Sequence, residues 1–363
     1  MTNMSEYPEK MWAVVLTGPG EFEFSTVPVP KPTDDEVLCR VRAVAICGTD
    51  PKIVKGAYPG FWPPSYPAII GHEWAGEVVE LGPAVAASPR LAAKWAPGTR
   101  VAGESHKGCG QCPNCLTGHY TICQNYGDLA SGHRHYGFTA PGAYAEYIAC
   151  SAKTLHRLPD NLSFTDGAML DTAGVALQGV KRGRVETGDS VVVLGPGPIG
   201  ALTVQFAKAA GAKQVIIVGR GARLRQVAKL GGIPVDYEQV DPIQRVRELT
   251  EGLGAEVVIE CAGTVQACKH AIQMTKKGGR LAMNGLPTEP VEIPWGKIIL
   301  DEIDMVGVRA NPNTSEPALA LMSNGAVNAG AILSHTFPLK DFATALDTFV
   351  HRRDGAMKVV LVP

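Results

Sequence analysis

Short apolar runs alternate with helical patterns over residues 191–285, and this alternation constrains the fold more than any other feature of the chain. The segments are, in order, VVVLG (191–195), a helical pattern at 199–211, VIIV (215–218), a helical pattern ending near Gly231, VVIECAG (257–263), a helical stretch to Lys277 and RLAMNG (280–285). Strands that alternate with helices predict a parallel sheet with helices on both faces. We therefore expect an α/β fold.

A glycine-rich turn joins the first of these strands to its helix. In VVVLGPGPIG, Gly195, Gly197 and Gly200 have the GxGxxG spacing, and Pro198 and Ile199 open the helix. Such glycines allow a tight turn, a close approach of the backbone to a pyrophosphate and close helix–strand packing, while the helix N-terminus attracts the anion. Because the motif follows an apolar strand and opens a helix, it predicts a dinucleotide site rather than an ordinary turn.

The end of the second strand bears on which dinucleotide binds. NAD-specific sites usually place Asp or Glu there to accept a hydrogen bond from the adenosine ribose 2′-OH. This chain has Gly219, followed by Arg220, Arg223 and Arg225. Guanidinium groups suit a 2′-phosphate, so we favour NADP over NAD. Solvated surface arginines, or an NAD enzyme without the carboxylate, are the alternatives.

Four cysteines lie close together in CGQCPNCLTGHYTIC (109–123), at spacings x2, x2 and x7. Four thiolates can surround one tetrahedral Zn²⁺ and leave no position for substrate or water. The predicted zinc site, formed by Cys109, Cys112, Cys115 and Cys123, is therefore structural. Disulfides are the alternative.

Composition and charge argue against several classes of function. The chain has 363 residues, 45% of them hydrophobic, and a formal net charge of −1, which argues against nucleic acid or an anionic membrane as the main partner. A zinc-ribbon nucleic-acid module, suggested by the cysteines alone, would need a basic face. The start, MTNMSEYPEKMWAVV, has no signal-peptide apolar region, and no run approaches 18 uninterrupted apolar residues. We therefore expect a soluble cytoplasmic protein with reduced thiols.

The remaining parts of the chain have a different pattern. Residues 11–160 are rich in β-branched and alternating apolar residues punctuated by Gly and Pro, which predicts strands. After about residue 300 come helix-like segments at 317–325 and 341–351 and a closing strand, KVVLV (358–362). This order fits a β-rich domain interrupted by the nucleotide-binding one, with the C-terminal segment returning to the first domain.

Several motifs together give the chain a resemblance to a known family. In chain order they are CGTD (47–50), GHEWAGEVVELG (71–82), the four-cysteine segment (109–123), GAYAEY (142–147), GPGPIG (195–200) and KVVLVP (358–363). The set resembles the zinc-dependent medium-chain alcohol dehydrogenases, and most closely their threonine and polyol (sorbitol) dehydrogenase branch. The motifs span nearly the whole chain, so their combination is specific.

The resemblance implies two domains with the active site in the cleft between them. These would be a GroES-like, β-rich catalytic domain and a Rossmann domain with a doubly wound parallel sheet. The expected bounds are 1–163 for the catalytic domain, with the structural zinc lobe at about 103–125, and 164–300 for the Rossmann domain. Residues 301–363 would supply an edge strand of the Rossmann sheet and then return to the catalytic domain.

The resemblance also implies a second, catalytic zinc. Cys47 and His72 match the two constant ligands of the family. The resemblance offers two candidates for the third protein ligand. Asp171 is one, because the threonine branch also has Asp at this position, and Glu73 is the other, because it coordinates in some members. The alternative for Asp171 is a supporting role, in contact with the ligands rather than with the metal. One thiolate and one carboxylate would neutralise Zn²⁺ and leave a position for substrate or water.

Further residues are assigned by the same resemblance. Thr49 matches the hydroxyl that takes the alcohol proton, and Lys52 stands where family relays often have a histidine, so it would pass protons or hold the cofactor ribose. His106 matches a histidine thought to touch substrate; a loop histidine beside the zinc lobe is the alternative. We expect His133 and His135 to lie in a flexible loop rather than to form another metal site.

The expected function is that of a zinc-dependent oxidoreductase that transfers a hydride between a secondary alcohol and NAD(P), giving the ketone. The substrate would be a polyol, sugar alcohol, cyclic alcohol or 3-hydroxy amino acid. A non-catalytic dinucleotide-binding redox sensor or structural protein on the same fold is the alternative. The apolar segment DMVGVR (304–309) is a candidate edge strand for the homodimer or homotetramer that family members commonly form.

Overall fold

The computed structural model describes residues 7–363 and divides them into two compact units. The first unit consists of residues 7–171 and 333–363, and the second of residues 172–332. The chain passes from one to the other inside the helix Leu170–Arg182, later than the predicted boundary at residue 163. The expectation that the chain starts without a signal peptide rests partly on residues 1–6, which lie outside the described residues.

Seventeen β-strands and thirteen α-helices lie within residues 7–363. The strands are Lys10–Gly18 (β1), Glu21–Pro28 (β2), Glu36–Ala45 (β3), Glu73–Leu81 (β4), Arg100–Gly103 (β5), His106–Lys107 (β6), Arg134–His135 (β7), Tyr147–Ser151 (β8), Leu155–Arg157 (β9), Ser190–Leu194 (β10), Gln214–Gly219 (β11), Ile233–Asp236 (β12), Ala255–Glu260 (β13), Thr275–Met283 (β14), Asp304–Gly307 (β15), Leu333–Pro338 (β16) and Lys358–Val362 (β17). The helices are Asp50–Val54 (α1), Pro83–Ala86 (α2), Pro89–Lys94 (α3), Pro113–Leu116 (α4), Phe164–Gly167 (α5), Leu170–Arg182 (α6), Pro198–Ala209 (α7), Gly221–Ala228 (α8), Pro242–Leu249 (α9), Val265–Met274 (α10), Trp295–Leu300 (α11), Ser315–Ser323 (α12) and Phe342–His351 (α13).

The second unit contains a six-stranded parallel sheet in the order β12-β11-β10-β13-β14-β15. Every residue of β10 is buried, as expected for a central parallel strand. The chain runs outward from β10 to β12 and then returns to β13 on the other side of β10, so the strand order reverses there. Ligands of open α/β sheets bind at the carboxyl ends of the strands at such a point. The predicted α/β fold is confirmed, and β15 lies at one edge of this sheet.

The first unit is built on a sheet in the order β16-β17-β3-β4-β5-β9, with β8 also paired to β3. Strand β17 lies between β16 and β3, antiparallel to β3, with Val360 opposite Ala45. The backbone N–H of Ile46 donates to the carbonyl oxygen of Val359 at 2.9 Å. The C-terminal segment therefore belongs to the first unit, and its strand lies beside the end of β3.

Candidate functional site

Two adjacent strand ends in the first unit bring three candidate metal ligands together. Strand β3 ends at Ala45, two residues before Cys47, and β4 begins at Glu73, directly after His72; Ala45 and Glu73 are opposite each other in the register. Cys47 Sγ, a ring nitrogen of His72 and a carboxylate oxygen of Glu73 lie within 4.8 Å of one another. Thiolate, imidazole and carboxylate are the donor groups that zinc takes in proteins. The residues therefore fit a zinc ion.

Asp50 links the two segments that carry these residues, and it was not assigned a role from the sequence. It is fully buried at the start of α1, and its Oδ2 accepts hydrogen bonds from the backbone N–H of Cys47 (2.8 Å) and the hydroxyl of Tyr144 (2.6 Å). Its Oδ1 is 3.5 Å from Nδ1 of His72, which leaves Nε2 to face a metal; a carboxylate behind a histidine ligand is the usual arrangement. Burial lowers the pKa of His72, but the negative charges of Cys47 and Asp50 outweigh it and raise the pKa.

Glu73 forms a buried ion pair with Lys358, the first residue of β17. The two side chains are only 4% and 2% exposed. Burial lowers the pKa of Lys358, but the charges of Glu73 and Cys47 outweigh this effect and raise it. Lys358 is therefore a buried ammonium that neutralises Glu73 and would share its carboxylate with a metal ion.

Asp171 is not among the three residues that converge. It lies in the first turn of α6, and its Oδ2 accepts a hydrogen bond from the hydroxyl of Ser105 at 3.3 Å. Burial is the largest cause that raises the pKa of Asp171 to about 7; the charge of His72 opposes the shift and that of Glu73 adds to it. Asp171 is thus electrostatically coupled to the centre, and its role as the third ligand stays a prediction.

Thr49 and Lys52 lie on the segment that follows Cys47. The hydroxyl of Thr49 is 3.0 Å from Cys47 Sγ, which places it beside the centre. Lys52 is half-buried on α1, and its backbone N–H donates to the carbonyl oxygen of Thr49 at 3.0 Å. The structure therefore places the hydroxyl of Thr49 beside Cys47, and the predicted roles of Thr49 and Lys52 stay predictions.

A row of ring contacts, two of them stacked and the last one tilted, connects His106 to His72. The expectation of a flexible loop for His133 and His135 is wrong, because both side chains are buried and His135 pairs with His106 across β6 and β7. The ring centroids of His106 and His135 are 3.7 Å apart, those of His135 and Phe138 3.7 Å, and those of Phe138 and His72 4.5 Å. His106 is accordingly a packed residue rather than an exposed loop histidine.

The four-cysteine segment forms a second candidate metal centre. All nine cysteines are free thiols, and the sulfur atoms of the four lie within 4.8 Å of one another. Cys109 and Cys115 have sulfurs 3.9 Å apart, as do Cys112 and Cys123, close to the roughly 3.8 Å edge of a tetrahedron with zinc–sulfur bonds of about 2.3 Å. The backbone N–H of Gln111 is the largest cause that lowers the pKa of Cys109 to about 6, which favours the thiolate that binds metals, whereas burial raises the pKa of Cys115 to about 12.

The glycine-rich turn of the second unit has the shape of a pyrophosphate cradle. Gly195 has a φ of +99°, and a Cβ placed on Gly200 would lie 2.0 Å from the carbonyl oxygen of Gly195. Apart from Gly197 itself and its two chain neighbours, no atom of residues 7–363 lies within 4 Å of a Cβ placed on Gly197, and Pro198 and Ile199 begin α7. The turn is therefore closed at its base and open above Gly197, as a dinucleotide phosphate requires.

The end of β11 lies against this turn. A Cβ placed on Gly219 would be 2.4 Å from the ring of Pro196. The guanidinium of Arg220 forms an ion pair with Glu238 at 2.5 Å, a partner that was not predicted. The other two candidate arginines, Arg223 and Arg225, lie on α8. The structure thus brings Gly219 to the cradle and gives Arg220 a carboxylate neighbour.

Known proteins match almost the entire chain. Residues 33–160 match the family model of the alcohol dehydrogenase GroES-like domain, and residues 198–324 match that of the zinc-binding dehydrogenases. A sorbitol dehydrogenase of Halalkalibacterium halodurans is 34% identical over 97% of this chain and 99% of its own. An erythritol/L-threitol dehydrogenase of Mycolicibacterium smegmatis is 32% identical over 99% of each chain.

Solved structures lead to the same family. The crystal structure of a candidate zinc-binding dehydrogenase from Sinorhizobium meliloti 1021, bound to NADP, superposes with a TM-score of 0.87 at 32% identity, covering 98% of this chain and 100% of that one. The chain belongs to the zinc-dependent alcohol dehydrogenase family. It is accordingly an oxidoreductase that acts on alcohols with zinc and a nicotinamide cofactor.

In residues 7–363, no helix combines the length and apolar character needed to cross a membrane.

Proposed function

We propose that the protein oxidises a secondary alcohol of a polyol or sugar alcohol to the ketone, with NADP preferred over NAD. The convergence of Cys47, His72 and Glu73 within 4.8 Å is the observation that carries the proposal. The relatives named for sorbitol and for erythritol and L-threitol, at 34% and 32% identity, support a polyhydroxy substrate. The preference for NADP rests on Gly219 and Arg220 beside the glycine-rich turn.

Two zinc ions per chain are part of the proposal. Cys47, His72 and Glu73 would hold the catalytic ion, and the four cysteines at 109–123 the structural one. When bound, the catalytic zinc supplies a Lewis acid and the nicotinamide supplies the hydride acceptor. Asp171 would act next to this group, either as a ligand or through its hydrogen bond with Ser105.

The side chains around the catalytic centre would orient its ligands and move the proton. Thr49 would relay the alcohol proton, taking it up at the hydroxyl oxygen while giving its own hydroxyl proton to solvent, since a hydroxyl can accept one hydrogen bond and donate another. Asp50 would hold the backbone of Cys47 and the ring of His72 in place. Lys358 would keep the charge near Glu73 close to neutral.

A substrate screen tests the proposal. The zinc-loaded protein would be assayed with sorbitol, erythritol, L-threitol, cyclohexanol and L-threonine, each with NAD and NADP, by the absorbance of the reduced nicotinamide. We expect kcat/KM for at least one polyol to exceed that for L-threonine by about tenfold or more, equivalent to about 1.4 kcal/mol of transition-state binding. A higher kcat/KM with NAD than with NADP would overturn the cofactor preference, and L-threonine as the best substrate would overturn the substrate class.

Thr49→Ala should lower kcat by tens-fold or more, because a positioned proton-transfer group contributes roughly 10²–10⁴-fold. Thr49→Ser keeps the hydroxyl beside Cys47 Sγ and is the matched control, expected to retain most of the activity. Steady-state kinetics with the best polyol measure both variants. Full activity of Thr49→Ala would remove Thr49 from the mechanism.

We also propose that β15 forms the contact of a homodimer or homotetramer. It is the edge strand of the six-stranded sheet, and its Met305 and Val306 are half-buried. An edge strand presents unpaired backbone donors and acceptors to another chain. Light scattering at micromolar concentration should give two or four times the mass of one chain; the mass of a single chain would contradict this assembly.

A further inference from the structure

Arg220 and Glu238 lie on two neighbouring segments next to the glycine-rich turn. Arg220 directly follows Gly219 at the end of β11, and Glu238 lies two residues after the end of β12. The two segments are joined by a hydrogen bond from the backbone N–H of Tyr237 to the carbonyl oxygen of Gly219, at 3.1 Å. Since a Cβ placed on Gly219 would be 2.4 Å from the ring of Pro196 in the turn, both charged side chains start from backbone close to the glycine-rich turn.

The two side chains are paired with each other and accessible to a ligand. Arg220 Nη1 is 2.5 Å from Glu238 Oε1, with 57% and 48% of the side chains exposed. The guanidinium carbon lies 5.9 Å from the ring centroid of Tyr237, and the backbone N–H of Glu238 donates to Asp236 Oδ1 at 3.0 Å. Ion pairs this exposed are weak, so an anion that binds Arg220 can displace the carboxylate.

We propose that Glu238 is a specificity-determining residue, whose carboxylate competes with the 2′-phosphate of NADP for the guanidinium of Arg220. The inference rests on the proposed preference for NADP and explains how that preference is limited. A phosphate monoester carries nearly two negative charges at neutral pH, so a carboxylate that stays on Arg220 repels it. The uncharged 2′-OH of NAD meets no such repulsion and can donate to a carboxylate. Glu238 therefore shifts the site from strict selection of NADP towards acceptance of both cofactors.

Binding of cofactor fragments tests this without turnover. The zinc-loaded protein would be titrated calorimetrically with 2′,5′-ADP and 5′-AMP, which present the adenosine ribose with and without the 2′-phosphate. Glu238→Gln should tighten 2′,5′-ADP about fivefold to tenfold at low salt, and less at high salt, because it removes one charge beside a phosphate. The dissociation constant of 5′-AMP should change by less than about twofold, since its 2′-OH carries no charge.

Two further variants complete the design. Arg220→Gln should weaken the binding of 2′,5′-ADP. Adding Glu238→Gln to this variant should change the dissociation constant of 2′,5′-ADP less than Glu238→Gln does in the wild type. Glu248→Gln is the matched control, because Glu248 pairs with Arg245 at 2.8 Å with similar exposure, 49% and 45%. It should change neither dissociation constant. Thermal melting of each variant verifies the fold.

The outcomes separate the inference from the proposed function. Suppose that Arg220→Gln weakens the binding of 2′,5′-ADP, but Glu238→Gln leaves this binding unchanged or weakens it. The proposed role of Glu238 is then wrong, and the NADP preference stands. If Arg220→Gln has no effect on 2′,5′-ADP, both are wrong. If the wild type binds 5′-AMP more tightly but Glu238→Gln still tightens 2′,5′-ADP, only the NADP preference is wrong.

Discussion

Cys47→Ser is expected to lower kcat by about a thousandfold or more, since a Lewis acid is worth several kcal/mol and each 1.4 kcal/mol is tenfold. Only three residues converge at this centre within residues 7–363, and replacing the thiolate leaves His72 and Glu73, with Lys358 still competing for Glu73. The zinc content should fall from two ions per chain to one, measured by elemental analysis beside steady-state kinetics.

Two other cysteine variants make this result interpretable. Cys112→Ser should also remove one zinc per chain, but it should lower the melting temperature while kcat is largely kept, because the four-cysteine centre leaves no position for substrate. Cys268→Ala removes a buried thiol on α10 outside both centres and should keep two zinc ions. Two zinc ions and full turnover in Cys47→Ser would place the catalytic metal elsewhere.

Lys358→Met is expected to destabilise the first unit by about 3–5 kcal/mol, the usual cost of removing one member of a buried ion pair. The carboxylate of Glu73, only 4% exposed, would lose its ammonium partner. Adding Glu73→Gln removes the buried charge and should recover most of the loss. Urea unfolding of the metal-free variants, followed by tryptophan fluorescence, gives the comparison, because a bound zinc ion would itself neutralise Glu73.

The surface pair of the second unit supplies the control for this prediction. Arg245→Met breaks an ion pair whose side chains are 45% and 49% exposed, and such pairs contribute about 0–1 kcal/mol. If Lys358→Met lowers the free energy of unfolding no more than Arg245→Met does, the prediction is wrong and the buried pair adds no more stability than an exposed one.

The parts of the site that are predictable from sequence are those whose chemistry restricts residue type within a short segment. The glycine spacing at 195–200 and the cysteine spacing at 109–123 each specify a motif formed within one short segment. In the structure the glycines form a tight turn and the four cysteine sulfurs lie within 4.8 Å of one another. Cys47 and His72 are far apart in sequence, and only the family resemblance paired them. Their convergence depends on the register of β3 and β4.

The residues that were missed act through contacts that no local pattern specifies. An acidic residue at position 50 is equally explained by the positive end of a helix, so its bonds to Cys47 and Tyr144 could not be inferred. Lys358 opens an apolar strand, and its partner is known only once β17 is placed beside β3. His135 was assigned to a mobile loop because its burial depends on the pairing of β6 and β7.

The discontinuous first unit has a consequence for the nascent chain. Lys358 follows Glu73 by 285 residues, and the whole second unit is synthesised between them. At about 5–20 residues per second, the ribosome delivers the ammonium roughly 14–57 s after the carboxylate. During that interval Cys47, His72 and Glu73 have been made and Lys358 has not. The length of the inserted unit thereby sets the delay between the synthesis of the buried carboxylate and that of its ammonium partner.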